Sequence, residues 1–103
     1  MISRTEAEQQ QAQSEADKLA LYHSPTCLYC MMVRRAIGRI GVEIKLLNTD
    51  KDSDALEELI EGGGRRTVPC LRIDNESGQR TWMYESADIV AFLEQRFSKP
   101  QST

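Results

Sequence analysis

Two cysteines separated by two residues, Cys27-Leu28-Tyr29-Cys30, stand where a short apolar run gives way to a helical repeat, and this junction constrains the chain more than any other feature. Leu19-Ala20-Leu21-Tyr22-His23 is an apolar stretch ended by Ser24-Pro25, which reads as a buried strand. Beyond it, Cys30, Val33, Ile37 and Ile40 recur at helical spacing, with Arg34, Arg35 and Arg39 off that face. The expected helix begins near Cys27 and is stopped by Gly41. A sulfur at a helix N-terminus meets unpaired backbone N–H groups and the positive end of the helix dipole, a setting that favours the thiolate. The two-residue spacer puts Cys30 one turn on, within disulfide reach of Cys27. Cys27 is therefore expected to attack a disulfide and Cys30 to resolve the mixed disulfide that results.

The rest of the chain alternates in the same way. Val42 to Leu47 carries β-branched residues and reads as a second strand. A second helix is expected from about Asp54, with Glu57 three residues on, an apolar stripe of Leu56, Leu59 and Ile60, and a stop at Gly62-Gly63-Gly64. Val68 to Ile73 is a third strand, Asp74 to Gly78 a turn, and Arg80 to Tyr84 the returning strand. Ser86 is the expected cap of a last helix whose apolar residues are Ile89, Val90, Phe92, Leu93 and Phe97, ending before Pro100. The strands joined through a helix should be parallel with a right-handed crossover, and those joined by the tight turn antiparallel. The expected fold class is α/β, a four-stranded mixed sheet with helices on both faces.

A chain of 103 residues makes one domain at most. Residues 1–17 are rich in Glu, Gln and Ser and show no apolar stripe worth burying. They read as a polar extension, either disordered or a loose helix, before a domain over 18–98 and a tail over 99–103. A net charge of −3 gives no general pull toward nucleic acid or an anionic membrane. Met1 to Lys18 lacks the apolar region of a secretory signal and no apolar run is long enough for a membrane span, so the expected location is the cytoplasm. The three cysteines, Cys27, Cys30 and Cys70, are an odd count that argues against a structural disulfide framework. Zinc binding by the pair is disfavoured, because only His23 and Cys70 remain as further His or Cys ligands for a four-ligand site. No metal is expected.

Two segments then carry a resemblance. Tyr22-His23-Ser24-Pro25-Thr26-Cys27-Leu28-Tyr29-Cys30 resembles the active-site segment of glutaredoxins, within the thioredoxin-like superfamily, and Arg65-Arg66-Thr67-Val68-Pro69 resembles that family's Thr-Val-Pro loop. The resemblance spans about Leu19 to Phe97 and implies a thioredoxin-like fold for the domain. It implies a cis bond before Pro69, and a Val68 backbone that pairs with glutathione as an added strand would. It also implies that the helix start at Glu85-Ser86 holds the γ-glutamyl carboxylate. Leu28 stands where the family usually has proline, Ser24 lies near the place of its lysine, and Glu85-Ser86 looks more like the N-terminal domain of glutathione S-transferases.

The resemblance implies a glutathione-linked dithiol oxidoreductase that reduces protein or glutathione mixed disulfides as a monomer, with glutathione as co-substrate. Cys27 and Cys30 are then catalytic. Tyr29, Arg66, Thr67, Val68, Pro69, Glu85 and Ser86 are the candidate contacts for glutathione or substrate. Either Arg65 or Arg66 suits a glycyl carboxylate, since guanidinium binds carboxylate in a bidentate way. Cys70 is read as a small apolar strand residue, with a third redox thiol as the alternative. His23 is read as a strand residue that would tune Cys27 only if it faced that way. Trp82 and Tyr84 are read as packing residues, and Met31 and Met32 as core or as an apolar rim. Two rival readings are a scaffold for a 2Fe–2S cluster and a glutathione-transferase N-terminal-like binding domain.

Overall fold

A computed structural model describes residues 4–97 of the chain. Four strands form one sheet: β1 (Leu19–His23), β2 (Lys45–Asn48), β3 (Cys70–Asp74) and β4 (Arg80–Met83). The order across the sheet is β2-β1-β3-β4. β1 and β2 are parallel, with Leu21 opposite Leu46, while β1 pairs antiparallel with β3 and β3 with β4. The helices are α1 (Glu6–Ala16), α2 (Leu28–Ile40), α3 (Ser53–Glu58) and α4 (Ser86–Phe97), and α3 runs into a wider π-type turn over Leu59–Gly63. This is the expected mixed sheet with helices on both faces.

Side-chain alternation along the central strands divides the core in two. Leu19, Leu21 and Leu71 point to one face and meet Val33, Ile37 and Ile40 of α2 and Ile89, Leu93 and Phe97 of α4. Tyr22 and Cys70 point to the other and meet Ala55 of α3 and Leu59, with Trp82 and Tyr84 packed against them. The Tyr22 hydroxyl donates to the Glu58 carboxylate and accepts from Arg72 Nη1 at 2.8 Å, so a polar network fastens α3 to this face.

Several boundaries differ from the sequence-based expectations. β2 is shorter at its start: Val42 and Ile44 are buried, but in a loop that drops into the α2–α4 core rather than in the sheet. β3 begins at Cys70 rather than Val68, and β4 ends at Met83 rather than Tyr84. The cap of α3 is Asp52, whose side chain accepts from the Ala55 N–H at 3.1 Å, rather than Asp54. At α4 the Ile89 N–H reaches the Glu85 carbonyl at 2.9 Å, which puts Glu85 in the cap position and makes Ser86 the first helical residue. The expected end of the last helix before Pro100, residue 98 of the domain and the tail over 99–103 lie outside the described residues.

The polar N-terminal stretch corrects the expectation that it has nothing to bury. Thr5 and Glu8 form a reciprocal capping box, and α1 docks through Ala12 and Ala16, both buried in the α2–α4 core. Gln9 and Gln13 donate to the carbonyls of Gly41 and Glu43, each at 2.8 Å, and Arg4 donates to the Phe97 carbonyl at 2.7 Å. Small side chains let the helix approach closely, and the polar ones satisfy the loop backbone.

The glycine run after α3 does more than end a helix. A Cβ at Gly62 would run into the Trp82 ring, and one at Gly63 into the Tyr84 hydroxyl. Gly64 then takes a positive φ of 87°. Gly62→Ala should therefore destabilise the fold by about 1–3 kcal/mol through overpacking against Trp82. Urea unfolding followed by tryptophan fluorescence measures this; an unchanged midpoint would contradict the close approach.

Candidate active site

The site is assembled from three chain segments that meet beyond the end of β1 and the start of β3. After His23 the chain turns through Ser24-Pro25-Thr26, with the Cys27 N–H donating to the Ser24 carbonyl at 3.1 Å. Cys27 is extended (φ −83°, ψ 122°) and is the N-cap of α2. Its carbonyl accepts the first helical hydrogen bond from Met31 at 3.0 Å, and its sulfur accepts from the Cys30 N–H at 3.3 Å. A capping Ser or Asp oxygen would occupy the same position. The sulfur therefore sits where a helix best accommodates negative charge.

The two cysteines are unequal. Cys27 is half-buried and Cys30 fully buried. The Cys30 sulfur accepts from the Ser24 N–H at 3.5 Å. Burial pushes the Cys30 thiol up to about 12, against the pull of the Ser24 N–H and of the Arg34 cation. The pair therefore sets an accessible sulfur in front of an enclosed, protonated thiol.

On its other side Cys27 meets the loop before β3. The Val68–Pro69 peptide bond is cis, as the resemblance implies, and the Cys27 thiol lies 3.9 Å from the Val68 carbonyl. Val68 also lines a cavity of about 380 Å³, together with Tyr29, Arg65, Thr67, Pro69, Tyr84, Glu85 and Ser86. Six of the seven predicted contact residues thus border one cavity beside Cys27. Arg66 does not; its neighbour Arg65 does, with its guanidinium 5.2 Å from the centre of the Tyr84 ring. Tyr84 also bonds the loop itself, accepting from the Arg65 N–H at 3.2 Å and donating to the Arg65 carbonyl at 3.1 Å. Read from the sequence as packing alone, Tyr84 is both a wall of the cavity and the clasp of its loop. The glycine run that Tyr84 packs against was the signal for that role.

The remaining candidates fall into place around the pair. His23 is buried and faces α2, its Nδ1 lying 3.0 Å from Arg34 Nη1. Burial, and then the Arg34 charge, hold its pKa below the usual histidine value. Cys70 is buried between Tyr22 and Leu59, and burial raises it to about 11. Leu28, Tyr29, Met31 and Met32 are exposed at the start of α2, so both methionines join the rim rather than the core. Among the described residues no cluster of three or more His, Cys, Asp or Glu is placed to hold a metal ion, and no helix is long and apolar enough to cross a membrane.

These burials set the response to pH. Cys30 and Cys70 both have folded pKa values above the ordinary thiol value of 9.0. Their protonated forms are favoured by the fold, so their contribution to stability is complete below that value and is lost as pH rises toward 11 and 12. Unfolding free energy should fall across this alkaline window, and the fall should shrink in Cys70→Ala. Urea titrations at a series of pH values check this; a flat profile would contradict the burial of both thiols.

Comparison with known proteins agrees with this geometry. The glutaredoxin family model matches residues 19–77, more than half of the chain. Glutaredoxin 3 of Escherichia coli K12 is 35% identical over 54 residues, covering 52% of this chain and 65% of that protein. The holo form of glutaredoxin C1 from Populus tremula x tremuloides superimposes with a TM-score of 0.56 at 25% identity, covering 88% of this chain and 89% of that one. A maleylacetoacetate isomerase from Anaeromyxobacter dehalogenans, solved with glutathione bound, shares the fold at a TM-score of 0.59 and 23% identity. That match covers 81% of this chain but 39% of the larger protein. The matched residues include the Cys27-x-x-Cys30 helix start and the cis-proline loop, and the chain belongs to the glutaredoxin family.

Proposed function

We propose that the chain is a glutathione-dependent dithiol oxidoreductase that reduces mixed disulfides of proteins or of glutathione. The observation that carries this reading is the pairing of half-exposed Cys27, at a helix N-terminus, with buried Cys30, beside a cavity bordered by the Val68–Pro69 backbone. In the first step the Cys27 thiolate attacks the substrate disulfide, and one sulfur of that disulfide leaves as a thiolate. Cys30 then displaces the retained half and closes the Cys27–Cys30 disulfide. Two molecules of glutathione reopen it, becoming oxidised glutathione as the pair regains its thiols.

The cavity matches the chemistry of glutathione along its length. The Val68 backbone offers an extended edge to the cysteinyl part of the tripeptide. The 12-residue α4 opens at Ser86, where unpaired N–H groups favour a carboxylate. Glu85, one residue earlier, presents negative charge to the ammonium carried by the same γ-glutamyl end. Arg65 suits the glycyl carboxylate at the other end. The reading takes the protein to be a monomer in the cytoplasm, where free thiols are maintained.

Glutathione-dependent reduction of a small mixed disulfide tests the assignment. Cys27→Ser should abolish it, Cys30→Ser should keep the turnover that needs one thiol, and Arg65→Gln should raise the KM for glutathione several-fold. Equal activity of wild type and Cys27→Ser would overturn the reading.

A further inference from the structure

Closing the disulfide requires Cys30 to ionise in a place that disfavours charge. Its sulfur is buried, and the direct hydrogen bond it receives is a single N–H, from Ser24. Arg34 lies four residues further along α2, so it sits one turn away at the edge of the face that buries Cys30, rather than clear of that face as the sequence suggests. It does not extend freely into solvent. Its Nη1 is 3.0 Å from His23 Nδ1, and His23 is buried at the end of β1, next in sequence to Ser24. Burial and Arg34 keep that imidazole neutral, so Nδ1 accepts from the guanidinium.

The charged and titratable groups around Cys30 come from two packed elements and a loop. Cys27 caps α2, Arg34 lies on it, and His23 comes from β1. Asp50, in the loop after β2, acts on His23 and accepts from the Ser24 hydroxyl at 2.5 Å. Among these groups Arg34 is the cation.

We propose that Arg34, anchored on His23, is the positioning residue of the resolving step, placing a fixed positive charge against the thiolate that Cys30 forms. The inference rests on the dithiol reading above. In that step the Cys30 proton passes to water and the Cys30 sulfur bonds to Cys27. The bond between Cys27 and the substrate sulfur breaks, and the departing thiolate keeps the electron pair and takes up a proton. The substrate half is reduced and the cysteine pair oxidised. Arg34 forms no bond; its charge raises the fraction of Cys30 that is ionised, and a one-unit change in pKa is a tenfold change in that fraction.

The test is a single turnover of the reduced protein with an aromatic disulfide whose leaving thiolate is coloured. Wild type should show two releases, one from attack by Cys27 and a slower one from closure by Cys30. Arg34→Gln should slow the second release several-fold at neutral pH and move its pH profile upward. Arg34→Lys should recover most of the rate, and Arg35→Gln, which removes an exposed neighbouring charge, should keep the wild-type second release. A second release in Arg34→Gln with the wild-type rate and pH profile would overturn the inference and leave the dithiol reading standing. Arg34→Lys as slow as Arg34→Gln would overturn it too, because charge would not be what matters. Equal release by wild type and Cys27→Ser would remove the dithiol reading and this inference with it.

Discussion

The sulfur that caps α2 is the constraint on which the rest of the site depends. Cys27 accepts the Cys30 N–H as a capping oxygen would, so one atom both completes the helix and serves as the candidate nucleophile. That double role fixes the chain around it. Cys27 must be extended to cap, Cys30 must then lie one turn inside, and the inward face of α2 that buries Cys30 also buries Val33 and Ile37. The difference between an accessible and an enclosed thiol therefore follows from packing α2 on the sheet, with no further device.

The second half of the site comes from segments distant in sequence. The loop before β3 lies against Cys27 through Val68, and Tyr84 clasps that loop at Arg65. Tyr84 can reach it because Gly62 and Gly63 leave room for Trp82 and Tyr84 to pack down. The cavity is thus held by a chain of contacts that runs from the turn after α3, across the end of β4, to the start of α4. Substitutions at the glycines should act on the cavity from beneath, although they touch none of the reacting atoms.

Much of this was legible in the sequence because the signals were strong and local. The β1–α2 junction showed as a change from an apolar run to helical spacing, and Thr67-Val68-Pro69 stood out as a motif. What escaped had weaker or longer-range causes. Ala12 and Ala16 dock α1, but alanine contributes so little to hydrophobic contrast that no stripe was visible. Val42 and Ile44 resemble strand residues because they are buried, yet their burial is in the helical core. Asp52 and Asp54 are equivalent as caps until the backbone decides between them. The choice of Arg65 over Arg66 at the cavity depends on which guanidinium meets Tyr84, a contact across 19 residues of chain.

The proposed oxidoreductase activity stands on Cys27 as the attacking thiol and on glutathione as its exchange partner. The most direct measurement is the mass of Cys30→Ser after incubation with oxidised glutathione, followed by peptide mapping. One added glutathionyl group is expected, located on Cys27 and removed by excess reduced glutathione. A protein that stays unmodified, or carries the group on Cys70 instead, would contradict it.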